Sequence, residues 1–148
     1  MNLFTNEKQF EFWKLRRARK PNITIARNFG ISRQAVSKAL LTIDGKIEIA
    51  LREMAKANKI VIVKINPQMG VLLGRSVPLG ADAIIFVSGN HGVQVWYEHD
   101  GDCGACEEYA ECIELLWDYA DELDIALHQT ADPKKMAEEL FSKVKEMV

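Results

Sequence analysis

The sequence has no apolar run near the roughly 18 residues of a membrane span. Its start, Met1-Asn2-Leu3-Phe4-Thr5-Asn6-Glu7, lacks the basic flank and apolar stretch of a secretory leader. A cytoplasmic protein without membrane partners is expected. Histidine is scarce, occurring only at His91, His99 and His128, and no serine stands in a motif that supplies a nucleophile with a base and an orienting group. The glycines at Gly70, Gly74 and Gly80 miss the spacing of either phosphate-binding loop. No enzyme is expected. Low-complexity segments and internal repeats are also missing, and 48% hydrophobic with 27% charged residues is the balance of a folded soluble protein. At 148 residues a sizeable core can form without staples.

The net charge of -2 conceals an asymmetry. Residues 1–59 hold 13 Lys or Arg against 5 Asp or Glu, a net +8, whereas residues 60–148 hold 6 basic against 16 acidic side chains, a net -10. Opposed charge in the two parts predicts two modules, the first suited to a polyanion.

Apolar spacing fills in the elements. Asn6 to Arg19 reads as a helix capped by Thr5 or Asn6 and stopped by Pro21. A short helix follows from Asn22, a possible cap, through Phe29, where Gly30 permits a left-handed turn. Ser32 then caps a third helix. At about 100° per residue, Ala35, Val36, Ala39, Leu40 and Ile43 gather on one side of it, while Arg33, Gln34, Ser37, Lys38 and Leu41 share an arc of about 140° on the other. The series Val36, Leu40, Ile43, Ile47, Ala50, Met54 and Ala57 continues at coiled-coil spacing and predicts a dimerising extension, with a kink or short linker possible at Gly45. Four strands are expected at residues 60–65, 71–75, 83–88 and 93–98, separated by Gly- and Pro-containing turns. Two helices close the chain, one carrying Tyr109, Ile113, Leu116, Ala120, Leu123 and Leu127, the other starting at Pro133 after an Asp132 cap. The expected class is α+β: an all-α unit over 1–59, then a small α+β unit over 60–148.

Within the first unit, Ala26 supplies the small residue where two helices cross and Gly30 the turn four residues later. Ile25, Phe29, Ile31, Val36 and Ala39 can lock the pair together. On these residues the segment resembles the helix-turn-helix transcription regulators, in particular the LuxR-type, sigma-factor region 4 and archaeal Tfx-like versions. The resemblance covers about residues 5–59 and does not extend beyond Lys59. It implies that Ser32 to Leu41 enters the major groove of duplex DNA, with Arg33 on guanine, Gln34 on adenine, and Ser37 and Lys38 on bases or phosphate. Arg27, Arg16, Arg17, Arg19 and Lys20 suit phosphates. A homodimer matches the two-fold symmetry of a typical operator.

All three cysteines fall in one stretch, and His99, Cys103, Cys106 and Cys112 give the spacing H-x3-C-x2-C-x5-C. Such a set can hold a tetrahedral zinc ion or, with three thiolates and one other ligand, an iron-sulfur cluster. Asp100, Asp102 or an external group can replace His99 as the fourth ligand. Rival readings are small buried hydrophobes and a thiol redox switch. The surrounding Asp100, Asp102, Glu107, Glu108 and Glu111 oppose thiolate formation unless a cation neutralises it. The expectation is a transcription regulator whose second unit senses metal or redox state; the alternative is a DNA-binding protein with a purely structural zinc site and an acidic protein-interaction unit.

Overall fold

The structure is a computed structural model and describes residues 6–98, 109–128 and 132–148. Three helices come first: α1 (Glu7–Arg17), α2 (Asn22–Phe29) and α3 (Arg33–Ala57). Four strands follow, β1 (Ile60–Asn66), β2 (Val71–Ser76), β3 (Ala81–Ser88) and β4 (Gly92–Tyr97), then α4 (Tyr109–Glu122) and α5 (Pro133–Met147). The strands form an antiparallel sheet in the order β1-β2-β3-β4, with a bulge in β1 between Ile62 and Lys64. Mixed helix and sheet with antiparallel hairpin connections fits the α+β class. No helix among the described residues is long and apolar enough to cross a membrane.

The sheet is the middle of three layers. Leu72, Ile85 and Val87 face α1–α3, where they join Trp13, Ile25, Val36, Ile43, Ile47 and Leu51. Val71, Ile84 and Phe86 face α4 and α5, where they meet Leu116, Tyr119, Leu140 and Phe141. Burial on both faces explains why β3 reads as the near-continuous apolar run Ala83-Ile84-Ile85-Phe86-Val87 rather than as an alternation. Each fully buried Ile or Leu contributes about 2 kcal/mol by leaving water. Gly70, at φ +70°, closes the first hairpin in the left-handed region, and a Cβ there would stand 2.7 Å from the Trp13 ring. The same tryptophan donates its indole N–H to the Pro67 carbonyl at 3.1 Å, so the β1–β2 turn is shaped around α1.

Several expectations change here. Of the two readings open at Gly45, a kink or linker is not seen: α3 continues through it as one 25-residue element. The first four positions of its coiled-coil seam are not available to a second copy: Val36, Leu40, Ile43 and Ile47 are buried in the core that α3 shares with α1, α2 and the sheet, with Ile47 fully inaccessible. After Ile47 the buried stripe steps by four residues, leaving Ala50 and Met54 half-buried and Ala57 exposed. The core likewise does not divide at Lys59, because Ile60, Leu72, Ile85 and Val87 share one cluster with α1–α3. α4 ends at Glu122, before Leu127, and Asp124 adopts a left-handed φ of 56°.

Candidate nucleic-acid interface

The chain between α2 and α3 turns through Gly30 at φ 64°. The amide of Ile31 donates back to the Ala26 carbonyl at 3.0 Å, closing α2 in the manner of a left-handed cap. Ile25 and Ala26 are buried at the crossing. Ser32 caps α3, its hydroxyl oxygen accepting the Ala35 N–H at 3.1 Å. Asn22 does not cap α2 as expected. Pro21 occupies that position, and the Asn22 side-chain amide instead donates to the Ser37 hydroxyl oxygen at 3.3 Å.

Arg33, Gln34, Ser37, Lys38 and Leu41 are all exposed. With Asn22 they line one open groove of about 550 Å³. Arg27, at the end of α2, is exposed as well. Among the described residues, no ion pair engages Arg27, Arg33 or Lys38. The nearest acids along α3 have partners of their own: Asp44 binds Arg16 through both carboxylate oxygens, one at 3.0 Å, and Glu48 binds Arg52 at 3.1 Å. The first half of α3 therefore presents cations and amide groups without a competing carboxylate.

The basic end of α1 is different, and two residues expected on phosphates are corrected. Arg17 has a side chain only 1% exposed and lies 3.7 Å from the Glu122 carboxylate. It donates to the Val87 carbonyl at 2.7 Å and stacks over Trp13 at 4.3 Å. Burial lowers its pKa, opposed by Tyr119 and Glu122. The Tyr119 hydroxyl is buried in the same cluster without a hydrogen-bond partner among the described residues, and burial pushes its pKa above the ordinary tyrosine value. Glu122 also accepts the Ser88 hydroxyl at 3.2 Å and the Asn90 amide at 3.0 Å, so Arg17 is one member of a network joining α1, the β3–β4 turn and α4. Arg16 is held by Asp44. Arg19 and Lys20, in the α1–α2 connection, stay exposed.

Of the cysteine set, Cys112 sits half-buried near the start of α4. His99, Cys103 and Cys106 lie outside the described residues. Among the described residues no three His, Cys, Asp or Glu side chains are grouped to hold a metal ion. The remaining histidines pair with carboxylates, His91 with Asp118 at 2.6 Å and His128 with Glu139. The Glu139 pKa is lowered, chiefly by its hydrogen bond with the His128 side chain. Phe86, Tyr119 and Trp96 pack with Phe141 in the second core, as aromatic side chains on strand and helix faces usually do. Compared with known protein families, with characterised proteins and with solved structures, the chain matches none.

Sequence reasoning missed the Asn22–Ser37 bond and the Arg17–Glu122 pair. The first joins two neighbouring helices, from Asn22 at the opening of α2 to Ser37 one turn into α3, and depends on how they cross. The second joins residues 105 positions apart, which no local pattern announces.

Proposed function

We propose that the chain is a sequence-specific duplex-DNA-binding regulator that reads the major groove with the first half of α3. One observation carries this reading. Arg33, Gln34, Ser37 and Lys38 form an exposed face without an ion pair among the described residues, on a helix packed against α2, and these side-chain types match the donor and acceptor pattern of base edges. Arg27, Arg19 and Lys20 flank that face as phosphate contacts, which fix position without reading sequence. A palindromic operator calls for a two-fold dimer, whose contact surface lies elsewhere than on Ile47. The acidic second half, with His99, Cys103, Cys106 and Cys112 as the donor set, holds a zinc ion or an iron-sulfur cluster and conveys its occupancy to the DNA-binding face.

Binding of a selected duplex, measured against salt, tests the first part. Log affinity should fall linearly with log salt concentration as Lys and Arg displace counterions. Arg33→Ala should cost about 1–3 kcal/mol on the preferred sequence and relax the preference, while Arg27→Ala weakens all sequences alike. An Arg33→Ala protein with unchanged affinity and preference would remove the assignment. For the cysteine set, metal analysis and absorption of anaerobically purified protein distinguish colourless zinc from a coloured cluster. Each cysteine substitution should lower metal content and melting temperature together. DNA affinity unchanged after metal removal would make the site purely structural.

A further inference from the structure

Leu41 is the most exposed large hydrophobic residue among the described residues, at 75%, and it lies at the centre of the reading face rather than at its rim. At about 100° per residue it falls between Ser37 and Gln34, with Arg33 and Lys38 on the outer sides of the arc. An isoleucine or leucine stranded in solvent would be unremarkable alone. This one shares a groove with five polar side chains, and it stands one helical turn beyond Ser37, where side chains at i and i+4 touch the same patch.

The Ser37 hydroxyl already has one partner. Its oxygen accepts the Asn22 amide proton, so the hydroxyl proton is left to donate outward. The groove thus offers a hydrogen-bond donor beside an apolar group about one turn further along α3. In the major groove only thymine presents the complement, an O4 acceptor next to a 5-methyl group; cytosine shows a donor at the equivalent position, and guanine shows acceptors without the methyl. We infer that Ser37 and Leu41 together read a thymine, Ser37 through O4 and Leu41 through the 5-methyl group, with Asn22 as the residue that positions the Ser37 hydroxyl. This rests on the DNA-binding reading and names a base within it. A second copy of the chain is the rival occupant of the Leu41 surface. The cations on either side of it favour DNA, because two such faces brought together would oppose Arg33 and Lys38 to their own copies.

The test uses the full chain and its selected duplex, with each thymine replaced in turn by deoxyuridine, which removes only the methyl group. Wild type should lose about fourfold in affinity at one position per half-site, the loss expected for one methyl group returned to water. Leu41→Ala should bind the thymine duplex about fourfold more weakly and show no further loss with deoxyuridine there. Ser37→Ala should keep the methyl effect while losing discrimination between thymine and cytosine at that position. Asn22→Asp, which reverses the hydrogen bond so that the Ser37 hydroxyl donates inward, should lower the thymine-to-cytosine ratio relative to wild type whatever its effect on overall affinity. Sequence-specific binding by a wild type that is indifferent to deoxyuridine at every position would overturn the thymine assignment and leave the DNA-binding reading standing. Absence of any sequence preference would overturn both. A change in sedimentation of the free protein on Leu41→Ala, with deoxyuridine sensitivity intact, would assign the residue to a contact between copies instead.

Discussion

Two basic regions lie next to each other in the first 41 residues, and the structure treats them in opposite ways. At the end of α1, Arg16 and Arg17 are occupied by the protein itself, one by Asp44 and the other by Glu122 and Val87. At the start of α3, Arg33 and Lys38 project into solvent without an ion pair among the described residues. Composition counts the four side chains alike. What separates them is the packing behind each helix: α1 ends against the sheet, so its last arginine must enter the interior, whereas α3 begins beyond the sheet and exposes half its circumference. A guanidinium taken from water needs a carboxylate and a carbonyl to hold it, and here it has both.

The largest expected effect falls on Arg17. Arg17→Ala leaves the Glu122 carboxylate in a mostly buried cluster without its cation and should destabilise the fold by about 3 kcal/mol, read as a drop in the denaturation midpoint. Intrinsic DNA affinity of the folded protein should not change. Arg33→Ala should show the mirror image, with its loss confined to DNA binding. A destabilised Arg33→Ala, or an Arg17→Ala protein that folds normally and loses DNA affinity, would erase the distinction between the two regions. The smallest effect belongs to Gly45, where an added Cβ meets nothing within 4 Å. Gly45→Ala should stabilise the protein by about 0.5–1 kcal/mol, because alanine restricts the unfolded chain and favours helix. A loss of stability would mean that α3 depends on the glycine at its midpoint.

Much of the architecture was legible because it is written in local periods. The four strands begin and end within about two residues of the expected positions, since the change from helical spacing to short β-branched runs at Ile60 is abrupt. Gly30 and Ser32 announced the turn and the cap through their own backbone and hydroxyl chemistry. Failure came where a local pattern had two physical explanations. The apolar stripe from Val36 to Met54 fits a coiled-coil partner and an intramolecular core equally well on spacing; only the packing of α1, α2 and the sheet against it, and the shift from Ala50 to Leu51, show that the chain itself covers it. The basic residues of α1 failed for the same reason, because charge density does not reveal which cations have partners. The partner of the Ser37 hydroxyl was likewise beyond a reading of single positions, since it is an amide from the neighbouring helix.

The continuity of α3 bears on how any ligand would be received. A 25-residue helix spans about 37 Å at 1.5 Å per residue, and its last three turns are locked by Ile47, Leu51 and Ala55. The exposed first turns are thus the free end of a rod anchored in the interior. Most recognition segments that order only on contact lose affinity to the entropy of doing so. Here the backbone of the first turns of α3 is helical without a ligand, and on the proposed reading the freedom left to quench is mainly that of the Arg33, Gln34 and Lys38 side chains, so association should resemble the docking of a rigid surface more than a coupled folding reaction.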